Sequence, residues 1–305
     1  MATFIFRRLL QAVPVVLGIV LICFVLLKAS GDPTHMLVRQ GASAEERLMV
    51  RERLGLNKPW YSQLGRYLML DLGRSYRQER PVLDIVLDGA AVTARLALGA
   101  MIVAVALGLL SGIFSAYRPH SPIDYACAAG ASIGISVPAF FLAMLLILIF
   151  SVKLQWLPLP APEAGKLAYL VIPVLTLGML STALIARLTR GCLLEEMTQD
   201  YVRTGRAKGL QDLKALTGHA FPNALVPITT VIGNNLAGLL TGAVLTETAC
   251  ALPGLGRMIF EAISQRDHPV IMGGCLFFAL IFVAVNLGVD ILYALLDPRI
   301  RYGHE

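Results

Sequence analysis

Formal charge is scarce along this chain. Of its 305 residues only 15% are Asp, Glu, Lys or Arg, against 56% hydrophobic, and the mean hydropathy is +0.70. A water-soluble domain does not carry that balance, so lipid is the expected solvent. No G-x-x-x-x-G-K-[ST] stretch is present, which argues against binding and hydrolysing ATP in the P-loop manner. The five histidines (35, 120, 219, 268, 304) fall in predicted loops or tails, with no H-E-x-x-H and no i,i+4 pair, so no metal site is expected. The five cysteines (23, 127, 192, 250, 275) form neither a C-x-x-C pair nor a disulfide framework. No Ser/His pair lies at membrane depth, no loop resembles a carbonyl filter, and no basic stripe alternates with exposed aromatics. Enzyme, channel and nucleic-acid roles are disfavoured; no catalytic residue is expected.

What the chain has is long apolar runs. Arg7 and Arg8 precede an uncharged stretch from Leu9 to Leu27, longer than a signal peptide usually shows and with no A-x-A site after it. Five more spans are predicted at Leu96–Tyr117, Tyr125–Val152, Leu167–Ala186, Leu225–Thr246 and Val270–Val289. Arg7, Arg8, Arg118, the segment 187–224, Arg299 and Arg301 fall on one side, so both termini are expected in the cytoplasm. Residues 31–92 hold nine basic and eight acidic residues and read as a small solvated extracytoplasmic subdomain. Within it, Ser43 and Glu46 predict a capping box on a helix that runs to Leu54 and stops at Gly55. The expected divisions are 1–30 (first span), 31–92 (loop subdomain), 93–296 (membrane core) and 297–305 (cytoplasmic tail). No internal repeat is visible, which disfavours an inverted-repeat secondary transporter.

The most orderly polar stretch is Asp200-Tyr-Val-Arg-Thr-Gly-Arg-Ala-Lys-Gly-Leu210, continuing to His219-Ala-Phe-Pro-Asn223. Between Arg187 and Pro222 stand six Lys/Arg and four acids. Ala207, Leu210, Leu213 and Leu216 recur every third residue, predicting short helical pieces with an apolar side. Gly209 permits the positive φ of a sharp turn, and Pro222 suits the start of the next helix.

With Gly205, Gly209 and Pro222 at that spacing, the segment resembles the cytoplasmic "EAA" loop of ABC importer permeases, in the dipeptide/oligopeptide/nickel branch. Gly31-Asp-Pro33, Leu54-Gly-Leu-Asn-Lys-Pro-Trp60, Gly134-Ile-Ser-Val-Pro-Ala-Phe140, Leu252-Pro-Gly-Leu-Gly-Arg257 and Asp297-Pro-Arg-Ile-Arg-Tyr-Gly303 resemble further signatures of that family. Arg203 stands where the name-giving Glu would be, Gly205 replaces the usual Ala, loosening the helix by up to ~1 kcal/mol, and His268 stands where Tyr is expected.

The resemblance implies an all-α integral membrane protein of six transmembrane helices with cytoplasmic coupling helices, the type I ABC importer permease fold. It also implies a bacterial inner-membrane location and a complex. The partners would be a second homologous permease, two cytoplasmic P-loop ATPases that carry ATP and Mg, and an extracytoplasmic solute-binding protein. Arg203, Thr204, Gly205, Arg206, Ala207, Lys208, Gly209, Leu210 and Pro222 would couple to the ATPase. Ser136, Pro138, Asn234, Asn235, Glu247, Asn286 and Asp290 are candidate pathway residues, with interhelical hydrogen bonding as their plainer role. The family's substrates include dipeptides, longer peptides, glutathione, nickel and metal chelates; peptide is the first expectation and nickel or a chelate the second. The rival class is a stand-alone secondary transporter or channel, for whose ion coupling only Asp290 is available.

Overall fold

The computed structural model of the chain describes residues 2–38, 43–160, 167–241 and 243–296. The tail signature from Asp297 onward, with Arg299 and Arg301, lies outside the described residues. Among these residues the protein is helical, and its one isolated extended pairing is an antiparallel bridge between Arg74 and Pro81. In chain order the helices are α1 (Ala2–Ala29), α2 (Thr34–Leu37), α3 (Ala44–Arg53), α4 (Trp60–Leu68), α5 (Val82–Tyr117), α6 (Pro122–Ser136) and α7 (Ala139–Leu146). Then come α8 (Leu167–Glu196), α9 (Asp200–Ala207), α10 (Asp212–Ala215), α11 (Phe221–Leu240), α12 (Val244–Ala249), α13 (Leu255–Gln265) and α14 (His268–Leu296).

Apolar runs in lipid must satisfy their own backbone groups, and a helix does so within one segment. Among the described residues, five helices are long and apolar enough to cross a membrane: those at Ile5–Ala29, Val82–Tyr117, Leu167–Glu196, Asp212–Leu240 and His268–Leu292. The expected third span is not one helix. α6 and α7 with its π-helical end, Ile147–Lys153, are bent by 104° and make a sixth span only if taken together. Val137 and Pro138 are both extended there, so Pro138 begins a new helix rather than kinking an old one. The expected fifth span breaks as well, since α11 ends at Leu240 and Thr246 belongs to α12.

The described chain falls into two compact units. One gathers α1–α4, the start of α5, α13 and α14 up to Ala284. Its centre is Val82, Ile85 and Val86 of α5 against Leu255, Ile259 and Ala262 of α13 and Val270 and Ile271 of α14. Gly89 lets α13 approach closely, because a Cβ there would stand 3.2 Å from the Leu255 backbone. Thr93 Oγ1 accepts the Leu255 N–H at 2.8 Å. The buried Asp267 carboxylate accepts from Ser75 Oγ and, at 3.1 Å, from the Tyr76 N–H, which ties the 75–77 turn to the start of α14. The Ser43–Glu46 capping box is present, and Gly55 follows α3 with φ +67°.

The other unit holds the rest of α5, α6–α11, most of α12 and the end of α14. Gly108 and Gly112, one turn apart on α5, seat α8: a Cβ at Gly112 would stand 2.9 Å from the Ala186 carbonyl oxygen. Val289 of α14 occupies the space that a side chain at Gly233 of α11 would need. Gly134 of α6 meets the Ala183 methyl in this way.

Candidate functional site: the polar segment after α8

α8 is 30 residues long, about 45 Å at 1.5 Å per residue, so it outruns a ~30 Å hydrocarbon core. Beyond it the chain turns at Met197–Gln199 and starts α9, with Asp200 in the first turn and Arg206 in the last, as the helix dipole favours.

α9 is anchored through one residue above all. Val202 is fully buried in a cluster with Leu193, Ala215, Leu216, Ala220, Ala224, Ile228 and Ala116. This corrects the expected apolar side. Leu216 is in the core, but Ala207 and Leu213 are exposed and Leu210 is half-buried. The three-residue recurrence runs across the turn at Gly209, so its members before and after that turn do not share one helix face.

The C-terminus of α9 is a Schellman motif. Gly209, at φ +90°, donates its N–H to Arg206 O at 2.9 Å, and the Leu210 N–H reaches Gly205 O at 3.2 Å. Leu210 then folds over Gly205, where an added Cβ would stand 3.0 Å from its Cδ1. The glycine that loosens the helix on propensity alone is thus the seat for the cap's hydrophobic contact.

Polar bonds tie the pieces together. Arg206 Nε meets Asp212 Oδ1 at 2.9 Å, joining α9 to α10. Tyr201 donates its hydroxyl to the Glu196 carboxylate and accepts from Asn223 Nδ2 at 2.9 Å, joining α8, α9 and α11. Burial, then the Glu196 bond, raise the Tyr201 phenol above its ordinary range. With the apolar side consumed, Arg203, Thr204, Arg206, Ala207 and Lys208 face outward, as does Pro222. Arg203 pairs with its own helix's Asp200, at 3.7 Å and exposed. Eight of the nine expected coupling residues therefore sit on one short, cationic, well-anchored helix and its cap, and Pro222 lies in the first turn of α11.

The expected pathway residues are not gathered in this way. Ser136 and Pro138 are exposed at the break between α6 and α7, with the Ser136 hydroxyl bonded to Ser132 O at 2.9 Å. Asn234 is exposed, while Asn235 accepts from Ser181 Oγ of α8 at 2.9 Å, the plain interhelical role. Asn286 and Asp290 are half-buried on α14 beside α11. Glu247 is fully buried in α12.

Sequence reasoning missed an ion pair built on a buried carboxylate. Asp124 of α6 accepts from Arg190 of α8 through two bonds, Nε at 2.6 Å and a terminal nitrogen at 2.7 Å, and also from Ser115 Oγ and the His120 N–H. Arg190 had been counted with the basic loop; it lies on α8, half-buried, and is committed to α6 instead. The available signal was Ser121-Pro-Ile-Asp124, a helix start whose acid lies in the first turn.

Two family models match. One, described as a binding-protein-dependent transport system inner membrane component, covers residues 108–302, and its N-terminal companion covers residues 1–97. The chain belongs to this family. The dipeptide transport system permease protein DppB of Alkalihalophilus pseudofirmus (strain ATCC BAA-2126 / JCM 17055 / OF4) is 37% identical over 99% of this chain and 100% of its own length. The oligopeptide transport system permease protein AppB of Bacillus subtilis (strain 168) is 36% identical with the same coverage. Among solved structures, an inward-facing MetNI methionine ABC transporter chain aligns at TM-score 0.59 and 18% identity, over 72% of this chain and 99% of that one. That likeness carries the fold, the type I importer permease architecture. This permease is therefore a multi-pass inner-membrane component of a binding-protein-dependent ABC importer.

Proposed function

We propose that this chain forms half of the translocation pathway of an ATP-driven peptide importer. It would pair with a homologous permease and work with two P-loop ATPases and an extracytoplasmic binding protein. ATP and Mg belong to the ATPases in this reading, and both termini lie in the cytoplasm with the α9–α10 segment. The observation that carries it is α9 itself: a cationic helix, anchored through Val202 and capped at Gly209, that presents Arg203, Arg206 and Lys208 outward. Such an element transmits force without doing chemistry. Closure of the ATPase dimer would pull on it, and the paired permeases would pass from inward-facing to outward-facing. Ser136, Pro138, Asn234, Asn235, Glu247, Asn286 and Asp290 are the proposed polar groups of the moving pathway, and DppB and AppB supply the argument for peptide as cargo.

The test is uptake into proteoliposomes holding the full complex with its binding protein, with labelled dipeptide and nickel compared. Dipeptide uptake that requires ATP supports the reading. Nickel uptake under those conditions would keep the class and replace the substrate, and uptake by this chain alone on an ion gradient would refute both. Arg206→Glu is expected to lower uptake and ATPase stimulation about tenfold or more. Gly209→Pro, which cannot hold φ +90°, is expected to abolish them. Unchanged transport in both variants would remove the lever.

A further inference from the structure

The loop subdomain reads from sequence as solvated, yet α4 places a greasy stripe at membrane depth. At 100° per residue, Tyr67, Trp60, Leu64, Leu68 and Tyr61 fall within an arc of about 120°, with Ser62, Gln63 and Arg66 opposite. Only part of that stripe is covered. Leu64 and Tyr67 pack against α1 on Val20 and Phe24, the Phe24 and Tyr67 rings meeting edge-on with centroids 6.5 Å apart. Trp60 remains 62% exposed, Tyr61 64% and Leu68 45%, and the chain continues into Met69 at 84% and Leu70 at 65%.

The depth of that patch follows from where α4 docks. Val20 and Phe24 lie nine and five residues before Ala29, about 13 and 8 Å inside the end of α1. Their neighbours Leu21 and Val25 on the same membrane-spanning helix are exposed too, so the patch on α4 continues an apolar surface that meets hydrocarbon. The opposite side is turned to polar partners. Gln63 Nε2 donates to Lys58 O at 2.7 Å, and Arg66 pairs with Asp71 at 2.7 Å on a cavity of about 400 Å³ lined by Glu52, Arg53, Lys58 and Arg74 among others. Indole and phenol rings with a polar side facing water are suited to the headgroup boundary.

We propose that α4 lies in the interfacial layer of the leaflet at which α1 ends, with Trp60, Tyr61, Leu68, Met69 and Leu70 seated in phospholipid. The loop subdomain is then moored to the bilayer beside α1 instead of standing free in water. Arg66 and Asp71 stay at the aqueous side, where the Arg66 guanidinium holds the Asp71 carboxyl below the usual carboxylate range.

The chain has two tryptophans, Trp60 and Trp156, which makes the patch directly readable. Complexes carrying Trp156→Phe and Trp60→Phe/Trp156→Phe, compared in the same vesicles, isolate the Trp60 emission as a difference. In phosphatidylcholine brominated at the upper acyl carbons, that emission is expected to fall to roughly half its value in unbrominated lipid, with little quenching by aqueous acrylamide. Moving the probe one residue on, with Tyr61→Trp in the double variant, is expected to give the same pattern. Strong acrylamide quenching with no effect of bromine would place α4 in water and overturn the proposal. Shielding from both quenchers, or a change seen only on adding the binding protein, would mean that a protein covers the patch, and would overturn it equally.

Discussion

α4 and α9 are both short amphipathic helices hung beside long apolar ones, and they finish their apolar faces differently. α9 spends its face on its own unit: Val202 is fully buried, and what remains outside is Arg203, Arg206 and Lys208. α4 covers only Leu64 and Tyr67, leaving Trp60, Tyr61 and Leu68 in the open. The difference teaches that the remainder, not the amphipathicity, reports the partner. A cationic remainder on a firmly seated helix suits a polar protein groove; an aromatic remainder at membrane depth suits lipid.

The largest expected effect breaks the α9 side alone. Val202→Asp puts an unpaired carboxylate into the cluster around Leu193 and Leu216, so α9 is expected to undock and ATP-dependent uptake to vanish. Faster amide exchange should then be confined to the α9–α10 segment; equal loosening of residues 60–68 would show that the two helices are not independent. Phe24→Ala is the converse. It removes the ring on which Tyr67 rests and is expected to cost about 3 kcal/mol, read as faster exchange in residues 60–68 with 200–207 unchanged. Gly209→Ala should cost about 1–2 kcal/mol by forcing a side chain into the left-handed region, fraying the end of α9 and lowering ATPase stimulation in part. Smallest is Ser43→Ala, which deletes the capping box on α3 at about 1 kcal/mol; exchange at the Glu46 amide should rise while transport stays intact.

Much of this was legible because its causes are local. The apolar runs declare the long helices, Ser43 with Glu46 declares a cap, and Gly209 declares a turn; each depends on neighbours within a few residues. The break at Ser136–Ala139 was half-legible, since Pro138 announces a disturbance without saying that the chain will turn by 104°. The apolar side of α9–α10 was misread because the turn at Gly209 lies between Ala207 and Leu213, so a three-residue recurrence running through it does not mark one helix face. The burial of Glu247 and the depth of α4 were not legible, because they depend on which distant helix arrives alongside. Gly108 and Gly112 stood in plain view at small-residue spacing, but nothing in the chain names α8 as what they receive.

The Asp124–Arg190 pair has a consequence for how the chain is made. The carboxylate is synthesised 66 residues before the guanidinium that pairs with it, and until then only the Ser115 hydroxyl and the His120 N–H are there to bond it. The hairpin of α5 and α6 therefore lacks its charged partner until α8 emerges. Chains truncated after residue 160 are expected to be cleared by membrane proteases faster than chains truncated after residue 199, and Asp124→Asn is expected to narrow the gap. On that outcome, the same two bonds that hold α6 to α8 in the finished protein would act during synthesis as a checkpoint, passed only when the second helix has arrived.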